Sequence, residues 1–106
     1  MSFQTSYSTL QDAIRKKNRI EAYYKNYFRV FCPYAIGIGK DGVPVVLAFQ
    51  VGGGDKSGVI SQSRGIWLCM EVADIIGPMP CKGEWIVPEP GKPVETCLDV
   101  VEEVAG

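Results

Sequence analysis

Hydrophobic and polar positions change their period once along this chain, dividing it into a helix and a run of strands. Leu10, Ala13 and Ile14 fall on one helical face. Ser8 and Thr9 precede Gln11 and Asp12 by three residues, the spacing of reciprocal side-chain caps. Arg15-Lys16-Lys17 suits the negative end of a helix dipole, and Asn18 can close the last turn in a left-handed conformation. These signals predict a helix near residues 9–17 behind a loose polar lead-in over 1–8.

From Arg19 the period becomes two. Ile20, Ala22 and Tyr24 alternate with Glu21 and Tyr23, and Lys25-Asn26 reads as a turn. In the next strand Phe28, Val30 and Cys32 share one face, and Tyr27, Arg29 and Phe31 the other. Gly39-Lys40-Asp41-Gly42 reads as a hairpin turn because Asp-Gly tolerates positive φ. Val43 to Val51 is a strongly apolar strand whose Pro44 marks an edge or a bulge. Gly52 to Gly58 reads as a mobile inter-strand loop; it lacks the spacing of a phosphate-cradling loop. Ile66 to Val72 alternates again, and Gly77-Pro78-Met79-Pro80 breaks regular structure. Residues 94–105 fit either period, and their β-branched content favours extended chain.

This organisation predicts one domain over 1–106. Residues 9–76 form a helix and a small, mainly β (α+β) Sm/SH3-like antiparallel barrel of about five strands; 77–106 form an irregular, proline-rich C-terminal extension that lays Trp85 on the body. With 106 residues and 46% hydrophobic content the chain can bury a real core. Net charge is −1, from 11 basic and 12 acidic residues, which excludes a protein built for non-specific DNA binding. No apolar run reaches membrane-spanning length and the first residues lack the features of a signal peptide, so the expected location is cytoplasmic. The sequence has no histidine, the commonest general base and zinc ligand. Cys32, Cys69, Cys81 and Cys97 lie far apart, without the close pairs of an all-cysteine zinc site. In a reducing cytosol all four are expected as free thiols, with no metal and no cofactor. Glu21, Glu71, Asp74 and Glu84 are carboxylates that nothing in the sequence pairs.

Candidate chemistry centres on Arg29, whose neighbours on its strand face are aromatic. An arginine between aromatic rings can clamp an anion or stack on a base; it can equally stand on a solvated strand face. Tyr27, Arg29 and Phe31, helped by Lys25, Lys56 and Trp67, are the candidate ligand-binding residues. Were Arg29 structural instead, it would be expected to pair with Glu21 on the neighbouring strand.

The order helix-then-barrel resembles the WYL domain of bacterial transcription regulators and small stand-alone proteins. Ala13-Ile14-Arg15 before Ile20-Glu21-Ala22-Tyr23-Tyr24 is similar to that family's opening helix and first strand. Arg29-Val30-Phe31-Cys32-Pro33-Tyr34 resembles its arginine-to-proline strand. Asp41-Gly42 with Val45 to Val51 resembles the strand that names it, and Gly52 to Gly58 with Trp67 to Ile75 resembles its loop and last strand. Val45-Val46-Leu47 keeps only the leucine of Trp-Tyr-Leu, and Leu68, Glu71 and Ala73-Asp74 stand where family members often carry basic residues. The resemblance implies an Sm-like barrel sensing an anionic ligand, such as a nucleotide or single-stranded nucleic acid, without enzymatic activity. No helix-turn-helix fits upstream in so short a chain, so regulation would need a partner. The alternative is a protein-interaction or self-assembly module, most simply a homodimer, using barrel edges, an apolar surface containing Leu68 and Met70, or the proline-rich tail.

Overall fold

The computed structural model describes residues 3–106. Helix α1 spans Phe3–Lys16, so residues 3–8, expected as a loose lead-in, are helical. Tertiary contact explains the extension: Ser6, Leu10, Ala13 and Ile14, at helical spacing, are all buried against the sheet. The helix closes one residue earlier than expected. Lys17, not Asn18, takes the left-handed conformation (φ 54°), and the Asn18 amide donates to the Ala13 carbonyl at 2.9 Å.

The sheet is built from β1 (Arg19–Tyr24), β2 (Tyr27–Gly39), β3 (Pro44–Asp55), β4 (Gly58–Val59), β5 (Ile66–Glu71), β6 (Ile75–Cys81) and β7 (Leu98–Val104). Every pairing is antiparallel. The order β6–β1–β2–β3–β5, with β5 turning into β6 through a 3₁₀ turn at Val72–Asp74, curls the sheet into a half-barrel. The fold is mainly β with one N-terminal helix, the class the period change predicts.

Local chemistry fixes the hairpins. Lys25 and Asn26 both have positive φ (48° and 72°), the mark of a two-residue turn matched to strand twist. Gly42 (φ 78°) closes the β2–β3 turn, with the Gly42 amide 3.0 Å from the Gly39 carbonyl. The long strands β2 and β3 bend at register shifts between Val30 and Phe31 and between Pro33 and Ala35. Pro33, which has no amide to give a ladder, sits at the second shift.

Three expectations are corrected. The segment Gly52–Gly58 is not a mobile loop: β3 runs on to Asp55 and turns tightly into β4, with Asp55 accepting from the Ser57 amide and hydroxyl at 2.8 and 2.5 Å. Gly53 (φ 78°) is required there, because a Cβ would overlap the Phe28 carbonyl. Gly77-Pro78-Met79-Pro80 lies inside β6, an edge strand paired with β1 alone among the described residues, where a proline costs no ladder bond on the free side. Residues 77–106 are not simply an irregular extension, since they supply β6 and β7. The extended reading of 94–105 holds: β7 pairs with the second half of β2.

The main core lies between α1 and the concave face of the sheet, around Leu10, Ile14, Phe31, Ile36, Val46 and Met70. On the convex face the C-terminal segment covers the sheet. Cys97 and Leu98 pack on Ala35 and Leu47, and Trp85 packs beside Cys32 and Phe49, donating to the Pro33 carbonyl at 2.8 Å. Tyr7 donates to Glu102, and Arg15 pairs with Glu103 at 2.9 Å, tying β7 to the helix. Burial and the Glu102 carboxylate push the Tyr7 hydroxyl pKa up.

Candidate functional site

Arg29 is not on a solvated strand face. It is 6% exposed, and its face of β2 leads inward to Phe31. Its Nε donates to the Tyr24 carbonyl at 3.0 Å, and Nη1 donates to Gln50 Oε1 at 3.1 Å. Gln50 is fully buried and is itself oriented by donating to the Gly52 and Gly54 carbonyls at 2.8 and 3.1 Å. The bulged, glycine-rich end of β3 thus holds Gln50, and Gln50 holds Arg29. The guanidinium also packs on two aromatic rings, its central carbon 5.3 Å from the Tyr24 centroid and 5.6 Å from that of Tyr27.

The expected ion pair with Glu21 does not form. Glu21 stands opposite Val30, one residue out of register with Arg29. Among the described residues no carboxylate lies within ion-pair distance of Arg29. Nη2 has no hydrogen-bond partner there either, yet no buried side-chain nitrogen is left unsatisfied. Nη2 is therefore the part of the group that reaches open space.

That space is a cavity of about 390 Å³ bordered by the β1–β2 hairpin, the β3–β4 turn and β5. Tyr24, Lys25, Tyr27 and Arg29 form one wall, Asp55 and Lys56 a second, and Leu68 and Cys69 a third. Lys25 Nζ lies 5.5 Å from the Tyr24 ring. Three cations and one carboxylate line the cavity. The Asp55 carboxylate is held below its usual pKa range mainly by the Ser57 hydroxyl and amide, with a smaller contribution from Arg29. Asp55 is thus committed to its own turn.

Four of the six candidate residues, Lys25, Tyr27, Arg29 and Lys56, come together here. Two do not. Phe31 is fully buried in the main core, one strand repeat too deep to meet a ligand. Trp67 packs on the convex side with its ring 5.3 Å from Phe49 and 5.5 Å from Tyr34. Gln50 and Tyr24 are not among the candidates the sequence offers, and Leu68 enters there as part of an apolar contact surface rather than as a ligand residue. Gln50 alone carried a signal, a polar residue inside an otherwise apolar strand run.

The expectation of four free thiols is overturned. Cys69 and Cys97 form a disulfide across 5.8 Å between Cα atoms, inside the range that bridging allows. Cys32 and Cys81 are free, and burial pushes both thiol pKa values up. The expected apolar contact surface of Leu68 and Met70 is not available either: Met70 is fully buried and Leu68 lines the cavity. The exposed apolar row lies elsewhere. Phe28, Tyr23 and Ile76 are cross-strand neighbours on β2, β1 and β6, and the first two rings pack edge to face at 5.4 Å.

No family model, curated protein or solved structure matches the chain. No helix among the described residues is long and apolar enough to cross a membrane.

Proposed function

We propose that this protein is a non-enzymatic binding module that takes an anionic ligand, of the nucleotide or single-stranded nucleic-acid class, in the Arg29 cavity. The observation that carries the reading is a buried guanidinium with no carboxylate partner and one donor edge left open. Burying a charge without a counter-charge is costly. A ligand oxyanion at Nη2 would supply the missing charge and a strong charge-assisted bond. Lys25 and Lys56 add attraction at the rim, and Tyr27 offers a ring for a planar group. The cavity volume lies in the range of small-molecule sites. The WYL-like reading belongs to this proposal, since its arginine strand supplies the residue at the centre. A cytoplasmic setting belongs to it as well, with a disulfide that cycles rather than one that is permanent.

Titration with ATP and with a single-stranded oligonucleotide at low and high salt tests the reading. Binding that weakens as salt rises is expected, and its absence at low salt counts against the module.

A second reading, self-assembly as a homodimer, draws on the exposed Phe28–Tyr23–Ile76 row and the free edge of β6. Light scattering over a concentration series tests it; a monomer throughout removes it.

A further inference from the structure

We infer that the Cys69–Cys97 disulfide is a reducible clamp that sets the width, and so the anion affinity, of the Arg29 cavity. This rests on the anion-binding reading above and adds its regulation.

Cys69 borders two cavities. One is the anion cavity, where it stands beside Leu68 on the wall facing Arg29. The other, of about 250 Å³, is lined by both halves of the disulfide together with Lys40, Glu71 and Thr96. Cys69 is exposed and Cys97 is buried, so attack on the bond comes at Cys69. A dithiol reductant supplies the chemistry. Its thiolate attacks the Cys69 sulfur, the S–S bond breaks, and Cys97 leaves as a thiolate that takes a proton. The reductant's second thiol then displaces Cys69 as a thiol and leaves as a cyclic disulfide.

The topology links that step to the ligand site. Arg29 on β2 and Cys69 on β5 flank β3 without pairing to each other. On its far side β5 has no strand partner among the described residues. The disulfide closes a circuit instead: β5 is joined through Cys69–Cys97 to the segment entering β7, and β7 pairs with β2, the strand that carries Arg29. With the bond cut, β5 keeps its ladder to β3 and the core packing of Leu68 and Met70 but loses its cross-link to β7, and through it to β2. Reduction widens the cavity and removes the fixed geometry that keeps a ligand against Nη2.

The coupling is reciprocal, so a ligand that prefers the oxidised form makes the bond harder to reduce by the same factor. The test uses wild-type protein, oxidised and dithiol-reduced, and Cys69→Ala/Cys97→Ala, with ATP as the probe. The expected result is about tenfold weaker ATP binding in the reduced protein and the double variant. Thiol trapping across a dithiol redox series should then show a midpoint about 30 mV more reducing with saturating ATP. Should the double variant not fold, that midpoint shift in wild-type protein, with far-UV dichroism confirming that the reduced sheet persists, decides alone. Equal ATP affinity in both redox states, with an unshifted midpoint, overturns the clamp and leaves the anion site standing. A reduced protein that has lost its sheet also overturns it, because the bond is then structural. No ATP binding by the oxidised protein overturns the anion reading, and the clamp with it.

Discussion

The two halves of β2 solve opposite problems. Its second half, Ala35 to Gly39, is closed on both sides, with β3 along one edge and β7 along the other. Gly37 is forced there by proximity, since a Cβ would overlap the Val100 carbonyl. The first half, Tyr27 to Phe31, is paired with β1 and with the glycine-rich end of β3, and opens at its tip onto the cavity. One half carries only apolar side chains and pairs along both edges. The other buries a guanidinium and leaves one edge of it unspent. In one continuous strand, what separates scaffold from site is whether a third element covers the face.

The comparison can be broken from the scaffold end first. Replacing Cys69 and Cys97 by Ala removes a cross-link spanning 28 residues and should cost roughly 3–4 kcal/mol in urea denaturation. Gly37→Val should cost about 3 kcal/mol, because the atoms it meets are backbone and cannot swing away. Protection of β7 amides from hydrogen exchange should fall in the same variant, while the β1–β2 turn keeps its own. At the site end, Arg29→Ala should cost roughly 1–3 kcal/mol, since the Tyr24 carbonyl and the Gln50 amide oxygen lose their donor. Arg29→Lys should retain more stability than Arg29→Ala but not the ligand, because an ammonium cannot hold both partners and still present a third donor. The smallest effect is expected from Asp55→Asn. Its amide oxygen can still accept from Ser57, but the one anion in the cavity is gone, so ATP affinity measured by calorimetry should rise roughly two- to fivefold.

The sequence pattern disclosed the scaffold better than the site, for physical reasons. Turns written in local chemistry were legible: Lys25-Asn26 and Asp41-Gly42 need only their own φ preferences. So was the pairing of Tyr27, Arg29 and Phe31 on one face, because the strand period is strict. What alternation does not contain is what lies over that face, so Arg29 reads as solvated when Tyr24, Tyr27 and Gln50 bury it. Strand β6 was hidden by Gly77, Pro78 and Pro80, residues that disfavour a central strand but are tolerated on an edge. The disulfide was hidden more deeply. Cys69 and Cys97 meet only because β7 folds back beside β2 and brings its leading segment over β3 and β5, a long-range arrangement that no spacing in the chain encodes.

The most direct measurement observes the Arg29 side chain itself. In nitrogen-edited NMR of the oxidised protein, its Nε–H should already be protected by the Tyr24 carbonyl and change little when ATP is added. The Nη2 protons should shift and slow in exchange as the oxyanion takes the open donor edge. Arg29 signals that stay unchanged at saturating ATP, or shifts confined to surface lysines, would contradict the account.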